Sequence, residues 1–366
     1  MTRRIVVDGA TGHVGSNFLC YVQGRGDDTE LVALSRGDPA RVHAALRGAA
    51  VEQGCDRPSP ERIGVVNYAL ERADLALDQA ALRDLFDRPC DYFHFAARVD
   101  LSPTGLGELV ATNVEGTRNT LDVFCRYASP GSRYFLVSTA YSCGHVDAPV
   151  PEQWHPAAPP SAFRTYYEAT KREAEHLVRD AFEHRGVSGA VLRLAQVVGS
   201  SMTGRTTSAH GMYEFMRMMR RLTSRRPNEE VRIEAAIDAT LSLVPVDRCV
   251  TWLWAIATAP TALPDPPIFH LVDRTPIPVR RVTDIVSDHL PVSIRLTPPE
   301  EMTTAELTLL ERLVAARMSF MGRYISRSIE FRRDHLVKVV GDEHLAVTDE
   351  VLVMLIRTFL ADEGDG

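Results

Sequence analysis

Two side chains that can exchange a proton, Tyr167 and Lys171, lie four residues apart in a segment with helical character. Residues at this spacing share one face of an α-helix, so both side chains would point toward the same neighbour. A phenol has a pKa of about 10, and an adjacent ammonium group favours its ionised form. The pair is therefore suited to passing a proton to or from an alcohol oxygen. The alternative is a tyrosine that packs against a lysine stem on an ordinary amphipathic helix.

A second feature is an apolar run near the start of the chain that gives way to three regularly spaced glycines. This pattern predicts a buried strand that turns sharply into a helix. Gly9 would permit the turn, Gly12 would let the backbone approach a pyrophosphate, and Gly15 would let the helix pack on its strand. The dipole and free amide groups at the helix start favour an anion there, although glycine-rich turns also have purely structural uses. Contacts with a dinucleotide are predicted for Gly9, Thr11, Gly12, His13, Val14 and Gly15.

Composition excludes several classes of function. The chain has 366 residues, of which 45% are hydrophobic and 24% charged, as in an ordinary globular protein. A net charge of -7 argues against a broad nucleic-acid surface. No apolar run reaches the roughly 18 to 20 residues that span a bilayer, and the first strand begins too early for a signal peptide, so we expect a cytoplasmic protein with no membrane contact. The six cysteines have no paired spacing, so neither a disulfide framework nor a metal site is predicted.

Apolar strand-like segments alternate with helix-like segments along the first 205 residues. Strands are predicted at 5–8, 30–35, 62–66, 91–97, 134–138, 189–194 and 268–272. Such alternation is typical of an α/β fold with a doubly wound parallel sheet that is covered by helices on both faces. We therefore predict a dinucleotide-binding domain at 1–205, with a returning segment at about 231–275. The rest, 206–230 and 276–366, is predicted to form a smaller, mostly helical substrate-binding cap.

Further short motifs follow the glycine turn. They are His94-Phe-Ala-Ala97, Asn113-Val-Glu-Gly-Thr117, the hydroxyl-rich segment 137–144, and Tyr167-xxx-Lys171. In order and rough spacing these motifs resemble those of the extended short-chain dehydrogenase/reductases, over about the first 275 residues. The resemblance implies a Rossmann domain that binds NAD(P) and an oxidoreductase activity.

Three segments resemble one branch of that superfamily, the male-sterility-type thioester reductases and fatty acyl-CoA reductases. Residues 193–204 are similar to their segment R-P-x-x-V-x-G-x-x-x-T-G, although Leu194 replaces the proline. Residues 243–247 match their V-P-V-D return into the sheet, and residues 138–141 match their S-T-A-Y.

The resemblance implies a role for each residue of the catalytic set. Tyr167 becomes the proton donor, and Lys171 holds the nicotinamide ribose while it tunes the tyrosine. Thr139 falls at the position of the hydroxyl that binds substrate, with Ser138 as the near alternative. Asn113 would order its helix and support a proton-relay water, or else would only hydrogen-bond to nearby backbone.

Arg36 follows the second predicted strand, where a guanidinium can bind a ribose 2'-phosphate and an acidic residue would instead bind the free hydroxyls. This favours NADP(H) over NAD(H), the alternative being a solvated surface arginine. The remaining predicted cofactor contacts are Ser35, Ala96, Ala97, Lys171 and Val197.

Two residues depart from the family pattern. Asp8 precedes the first glycine where relatives commonly carry threonine, and Tyr68 falls near the position of an aspartate that contacts adenine. A carboxylate beside a pyrophosphate is unfavourable unless it is turned away or hydrogen-bonded. The details of the adenine and phosphate contacts are therefore left open.

Several other residues have a functional and a plain interpretation. Cys143 is interpreted as a packed small residue rather than a nucleophile, and His13 and His94 as packing or backbone-binding residues. Methionines could line an acyl channel or fill the core: Met212, Met216, Met218 and Met219. Arginines could receive an acidic carrier protein or the phosphates of coenzyme A, or form a solvated helix face: Arg217, Arg220, Arg221, Arg225 and Arg226.

These residues together predict an NADPH-dependent reductase that acts on an acyl thioester or its aldehyde. Since the glycine turn begins at residue 9, we expect the acyl group to arrive on a separate acyl or peptidyl carrier protein or as a coenzyme A ester. A homodimer is possible. Two alternatives stay open: an enzyme acting on a ketone, a sterol-like alcohol or a sugar nucleotide, and a dinucleotide-binding regulator without turnover.

Overall fold

The computed structural model describes residues 3–26, 29–55, 58–146, 148–208, 210–224, 227–302, 307–318, 322–342 and 347–363. Its strands, in chain order, are β1 Arg4–Asp8, β2 Glu30–Ser35, β3 Ile63–Asn67, β4 Cys90–His94, β5 Arg133–Thr139, β6 Gly189–Leu194, β7 Gln196–Val198, β8 Glu229–Glu234, β9 Thr240–Leu241, β10 Leu243–Pro245, β11 Ile268–Leu271, β12 Ile277–Pro278 and β13 Val292–Thr297. Its helices are α1 His13–Gly24, α2 Pro39–Gln53, α3 Gln79–Leu85, α4 Leu106–Leu109, α5 Gly116–Tyr127, α6 Tyr166–His184, α7 Met212–Thr223, α8 Val246–Thr258, α9 Val279–His289, α10 Leu309–Met318, α11 Asp334–Val340 and α12 Asp349–Asp362.

Seven parallel strands form the central sheet, in the order β3-β2-β1-β4-β5-β6-β11. The predicted doubly wound α/β fold is therefore confirmed, including the return of β11 beside β6. The chain adds strands first on one side of β1 and then on the other, so the direction of winding reverses between β1 and β4. In such sheets the crevice at the carboxyl ends of the strands on either side of this switch point is the usual ligand site.

Helices cover both faces of the sheet because its strands are apolar on both faces. One face packs against α1, α2, α8 and α11, with Phe18, Leu46 and Leu253 fully buried. The other face packs against α3, α5 and α6, with Leu82 and Val178 fully buried. β1 and β4 are buried along their whole length, so the residues that follow them are held on a rigid base.

Element boundaries differ from the predictions mainly near the site. The fourth strand ends at His94 rather than at residue 97, because the chain leaves the sheet there to pass beneath the glycine turn. Between α4 and α5 the chain forms a π-helical turn, Val110–Glu115, which contains Asn113. Such turns are often found at functional sites.

A separate hydrophobic core lies under the cap, between α7, α9, α10 and α12. The cap also contains two small sheets, one of parallel β8 and β13 and one of antiparallel β9 and β12. Within the segment predicted as cap after residue 275, α11 packs against α8 and β11 instead, and Leu336 is buried in the core of the sheet. The amphipathic pattern of a helix does not show which of two cores the helix joins. The sequence therefore wrongly predicts α11 as part of the cap.

None of the described helices is long and apolar enough to cross a membrane.

Candidate active site

The glycine turn at the end of β1 leaves no room for side chains. Gly9 has φ +61°, and a Cβ there would lie 2.7 Å from the backbone nitrogen of Ala96. A Cβ at Gly15 would lie 2.5 Å from the carbonyl oxygen of Gly9. Gly12 is the N-cap of α1, and since it has no side chain it makes no side-chain hydrogen bond to the first amide groups of that helix. A bare backbone turn with free amide donors at a helix start suits the pyrophosphate of a dinucleotide.

Asp8 is turned away from this turn and is fully hydrogen-bonded. Its Oδ1 accepts a hydrogen bond from the Ala96 backbone N–H at 2.8 Å. Its Oδ2 accepts one from the Tyr92 hydroxyl at 3.0 Å and lies 2.5 Å from Nδ1 of His94. The carboxylate is completely buried. It therefore ties the glycine turn to the end of β4, and the repulsion of pyrophosphate that the sequence left open is avoided by these three partners.

The other departure from the family pattern, Tyr68, belongs to the same buried cluster. Burial raises the pKa of its hydroxyl, and the nearby Asp8 carboxylate raises it further, while Arg36 and the Gly9 amide act in the opposite direction. Only 6% of Tyr68 is exposed, and its ring packs in the core. The two unusual residues thus share one environment beneath the dinucleotide turn.

The cluster continues from β4 to the π-helical turn. Nε2 of His94 lies 2.9 Å from Oγ1 of Thr117, and the Thr117 hydroxyl donates to the Asn113 carbonyl oxygen at 2.7 Å. The Asn113 side chain accepts from the Arg98 N–H at 2.8 Å and donates to Thr170 Oγ1 at 3.0 Å. These bonds match the backbone-binding alternative for Asn113. They also connect the loop after β4 with α6, the helix that carries the tyrosine and the lysine.

Tyr167 and Lys171 occupy the first two turns of α6, which Thr165 caps. Burial raises the pKa of Tyr167, and the Glu168 carboxylate adds to this effect. Lys171 is 2% exposed and donates from Nζ to the Val137 carbonyl oxygen at 2.8 Å. The expected lowering of the tyrosine pKa by the lysine is not found: burial and Glu168 both raise this pKa, and the Lys171 ammonium group is bound to the Val137 carbonyl oxygen. The phenol is protonated at neutral pH and can act as a proton donor.

Burial also lowers the pKa of Lys171, to about 8, against the opposing effects of the Glu175 and Asp8 carboxylates. A lysine with this pKa is still largely charged at neutral pH. Its charge is therefore sensitive to small changes in its surroundings.

Thr139 is the last residue of β5, at the carboxyl edge of the sheet, where its side chain lines the same cavity as Tyr167. Its Oγ1 accepts a weak hydrogen bond from the Tyr141 N–H at 3.3 Å, which leaves its own proton available. Ser138 points to the other face of the strand and donates to Glu175 at 2.5 Å. The geometry therefore favours Thr139 over Ser138 as the hydroxyl that meets a ligand.

A buried ion pair that the sequence analysis missed supports α6 from below. Glu175 accepts from Nη2 of Arg193 on β6 at 2.7 Å, and both side chains are essentially unexposed. Burial alone would raise the pKa of Glu175, but the guanidinium and the Ser138 hydroxyl hold it at about 2. Two features of the sequence could have indicated this pair. Glu175 lies four residues after Lys171 on the same helix face, and an arginine stands inside an otherwise apolar strand.

The residues predicted to contact the adenosine end lie at the carboxyl ends of β2 and β4. Ser35 is buried as the last residue of β2, and Arg36 after it is 68% exposed. The guanidinium of Arg36 lies 3.6 Å from the Glu71 carboxylate, an exposed contact that holds it only weakly. Ala96 and Ala97 are half-buried beside the glycine turn. Arg36 is thus available to an anion.

The remaining residues of the glycine turn differ in exposure. Thr11 is exposed, and Val14 packs partly against the sheet core. His13 turns toward α2, with Nε2 2.8 Å from the buried Glu52 carboxylate. Its side chain is therefore held by a carboxylate of α2 rather than by the backbone, a partner that the sequence did not indicate.

A cavity of about 270 Å³ opens beside Thr139 and Tyr167, between the edge of the sheet and the cap. Most of its wall is apolar: Val99, Leu101, Ala195, Val197, Met212, Phe215, Ile233, Leu241, Val279, Val282, Leu296, Met318 and Ile325. The cavity therefore suits the apolar part of a small molecule, with hydroxyl groups at one end.

The methionines of α7 divide between the two predicted roles. Met212 lines the cavity, whereas Met216 and Met219 are fully buried in the cap core and Met218 packs against it. Core filling therefore accounts for all but one of them.

Two arginines of the predicted docking cluster are held within the chain. Arg217 donates to the Glu363 carboxylate at 2.8 Å, and Arg220 donates to the Leu360 and Glu363 carbonyl oxygens. Arg221 is exposed. Arg225 and Arg226 lie outside the described residues. The cluster therefore fastens α7 to α12, and this leaves less positive charge for an acidic partner than the sequence suggested.

All six cysteines are free. Burial raises the pKa of Cys143 to about 11, so its thiol stays protonated. This supports the interpretation of Cys143 as a packed residue rather than a nucleophile.

Doubly wound sheets that place a tyrosine and a lysine of one helix near the dinucleotide turn are typical of the extended short-chain dehydrogenase/reductases. The chain is an NAD(P)-dependent oxidoreductase of that class. Within the class, residues 7–253 match the model of the family described as Male sterility protein, and the chain belongs to this family.

Solved structures with the same fold include two reductase domains. The terminal R domain from the myxalamid PKS-NRPS biosynthetic pathway is similar with a TM-score of 0.78 at 22% identity, over 99% of this chain and 91% of that one. A thiolation-reductase di-domain from an archaeal non-ribosomal peptide synthetase gives a TM-score of 0.73 at 14% identity, over 100% of this chain and 76% of the other.

A curated relative has a different activity. The dTDP-glucose 4,6-dehydratase of Actinoplanes sp. is 28% identical over 202 residues, which are 54% of this chain and 57% of that protein. The match therefore spans little more than half the length of this relative.

Proposed function

We propose that the chain is an NADPH-dependent reductase of an acyl thioester, or of the aldehyde derived from it. The observation that carries this proposal is the apolar cavity with Thr139 and Tyr167 at its edge, next to the dinucleotide turn. An acyl chain would fill the apolar part, and its carbonyl group would meet the two hydroxyl groups. The similarity to reductase domains of carrier-linked synthetases supports delivery by a carrier protein, with coenzyme A as the alternative carrier.

The glycine turn suits a dinucleotide because Gly9 and Gly15 are packed too closely against backbone atoms to carry a Cβ, so the start of α1 presents only backbone groups to a pyrophosphate. Gly9, Gly12 and Gly15 would hold the pyrophosphate, Lys171 the nicotinamide ribose, and Arg36 the 2'-phosphate that distinguishes NADPH from NADH. When bound, the dihydronicotinamide supplies a hydride for the substrate carbonyl carbon.

The protein's own residues would handle the oxygen and its proton. Thr139 would donate a hydrogen bond to the carbonyl oxygen, and Tyr167 would protonate it as negative charge develops. With a thioester this gives a hemithioacetal, which loses its hydroxyl proton as the carbonyl re-forms and the thiolate leaves. The products are an aldehyde and a thiol, and a second reduction of the aldehyde would give the alcohol.

Lys171 would place a positive charge beneath this site. The ammonium group stabilises the negative charge that develops on the phenol when Tyr167 gives up its proton. Glu175 helps to keep the lysine charged, and Arg193 keeps Glu175 ionised.

The test is a screen of NADPH oxidation with dodecanoyl-CoA, a carrier-bound acyl group, dodecanal, a long-chain ketone and dTDP-glucose, with products identified by mass. We expect turnover of the thioesters and of the aldehyde. Oxidation with the ketone alone would eliminate the thioester reaction.

A second candidate is the conversion of a sugar nucleotide, which the dehydratase relative favours. The cavity argues against it, because a sugar needs many hydrogen-bond partners and this wall is largely apolar. Conversion of dTDP-glucose in parallel reactions supplied with the oxidised dinucleotide NAD+, with the product identified by mass, would favour this candidate instead. The homodimer and the cytoplasmic location remain predictions.

A further inference from the structure

Gln196 contributes a polar side chain to the largely apolar wall of the cavity. It is the first residue of β7, and its backbone N–H donates to the Ser242 carbonyl oxygen at 3.1 Å. This bond and the pairing of β7 with β10 fix the backbone of the residue at the cavity edge. The half-buried side chain shares the cavity with Thr139 and Tyr167.

The carboxamide of Gln196 carries a buried donor that has no partner. Its Nε2 makes no hydrogen bond, and of the described residues with such an unpaired buried side-chain atom, Gln196 is the one that lines this cavity. Unpaired buried donors are rare in folded proteins because they lose their bonds to water without replacement. A carboxamide can turn about its last bond, so the donor can be presented to a ligand in the cavity.

The fold keeps a space for this carboxamide. Gly211 precedes α7 with φ +62°, and a Cβ at that position would overlap Nε2 and Cδ of Gln196. A glycine is therefore required at residue 211 both by the backbone conformation and by the side chain of Gln196. This observation is independent of the missing hydrogen bond.

Other polar groups of the wall are already engaged within the protein. The Thr283 hydroxyl donates to the Arg280 carbonyl oxygen at 2.9 Å, and the Tyr324 hydroxyl lies 3.3 Å from Oγ1 of Thr165. Ser208 accepts from the His210 N–H at 3.4 Å. Gln196 differs from them because its Nε2 is a buried side-chain donor with no hydrogen-bond partner.

We infer that Gln196 recognises a secondary amide of the ligand by donating a hydrogen bond to its carbonyl oxygen. The inference rests on the proposed function and narrows its substrate class. A carboxamide offers a donor and an acceptor side by side, the arrangement that a secondary amide can match. The amide can come from the acyl chain, as in an N-acylaminoacyl thioester, or from the pantetheine arm of the carrier.

Three unreactive probes separate these sources by calorimetric binding: dodecan-1-ol, S-dodecyl-CoA and S-(3-octanamidopropyl)-CoA. The last two have side chains of equal length, and only the third carries an amide within that chain. The variants are Gln196→Met, which keeps the size of the side chain but removes the donor, and Gly211→Ala, which displaces the carboxamide. Thr283→Val is the matched control, because it removes a polar group of the same cavity that is already engaged.

If the amide belongs to the acyl chain, the wild type binds the amide probe roughly tenfold more tightly than S-dodecyl-CoA, and Gln196→Met and Gly211→Ala abolish this preference. If it belongs to the arm, both variants weaken the two coenzyme A probes roughly tenfold relative to dodecan-1-ol. The inference is overturned if Gln196→Met and Gly211→Ala change the affinities for all three probes by the same factor, or leave all three unchanged. It is also overturned if Thr283→Val has the same effect as these two variants.

Turnover of dodecanoyl-CoA by the wild type, measured in parallel, tests the proposed function by itself. Binding that depends on Gln196 without turnover would refute the reaction and keep the recognition. Turnover with binding that does not depend on Gln196 would refute the recognition and keep the reaction.

Discussion

The two parts of the candidate site, the support beneath the glycine turn and the cavity beside it, are built on opposite principles. Beneath the dinucleotide turn, buried charged and polar groups are paired with one another, as Asp8 is with His94 and Glu175 with Arg193. The cavity wall, by contrast, is largely apolar, and Gln196 in this wall carries a donor without a partner. A paired network holds reacting groups in one geometry, whereas an apolar wall accepts ligands by shape. We therefore expect the paired network on the sheet side to support the reaction and the apolar cavity to select the molecule that undergoes it.

The largest expected effect lies on the sheet side. Tyr167→Phe removes the proton donor and should lower kcat about 10³-fold, since general acid catalysis typically contributes 10²- to 10⁴-fold. Dinucleotide binding should change little. Turnover and cofactor affinity are measured together, with Tyr166→Phe as the control, because Tyr166 is the neighbouring tyrosine and does not line the cavity. Undiminished turnover in the Tyr167 variant would show that the mechanism is wrong.

The second prediction breaks the paired network. Asp8→Ala leaves the Tyr92 hydroxyl, the His94 ring and the Ala96 N–H without their acceptor. Leaving buried donors without an acceptor costs about 1 to 3 kcal/mol for each donor in free energy of unfolding. Urea unfolding measures the loss. Asp38→Ala, at an exposed helix cap, should cost about 1 kcal/mol. Equal losses in both variants would contradict a special role for the Asp8 cluster.

The third prediction concerns the charge of Lys171. Since burial lowers its pKa to about 8, the ammonium form is lost as the pH rises through this value, and activity should fall above pH ~8. Lys171→Arg keeps the charge and should remove this alkaline decline, although its kcat will be lower. The pH profile of kcat is the measurement. A flat wild-type profile between pH 7 and 10 would refute the assignment.

Stability should respond to the same group in the opposite direction. In the unfolded chain a lysine keeps its proton up to about pH 10.5, whereas the folded protein releases it near pH 8. The unfolded state thus binds more protons in this window, and the contribution of Lys171 to the free energy of unfolding rises with pH. Lys171→Arg should not show this rise in urea unfolding.

The smallest effect is expected at the exposed edge of the dinucleotide site. Arg36→Ala should raise the KM for NADPH about tenfold and leave the KM for NADH nearly unchanged, because only NADPH carries the 2'-phosphate. Arg41→Ala, another exposed arginine close by, is the control. Equal changes for both cofactors would mean that Arg36 does not distinguish them.

Local patterns were enough to predict the sheet and the position of the glycine turn. Strands of a parallel sheet are apolar along their length, and the pair Tyr167 and Lys171 is visible from its spacing on one helix. The boundary errors arose where tertiary contacts override local preference. The fourth strand ends at His94 because the chain must pass under Gly9, a contact between residues far apart in sequence.

The support of the site was not predictable for the same reason. Glu175 contacts Arg193 only once β6 has paired with β5. Asp8 contacts His94 only through the pairing of β1 with β4. The hypothesis that the arginines of α7 receive an acidic partner is weakened, because Arg217 and Arg220 bind Glu363, about 140 residues away. No periodicity within a segment reports such contacts.

The cap core brings together α7 and α12, which are separated in the chain by more than 100 residues, including β11 of the sheet. Closing so long a loop is entropically costly, and contacts of this kind form late in folding. The seven strands of the sheet are all available once residue 271 has been synthesised, whereas the cap core still lacks Leu355 and Phe359. On a ribosome the dinucleotide half should therefore fold first. The cavity that selects the substrate would then be the last part of the enzyme to fold.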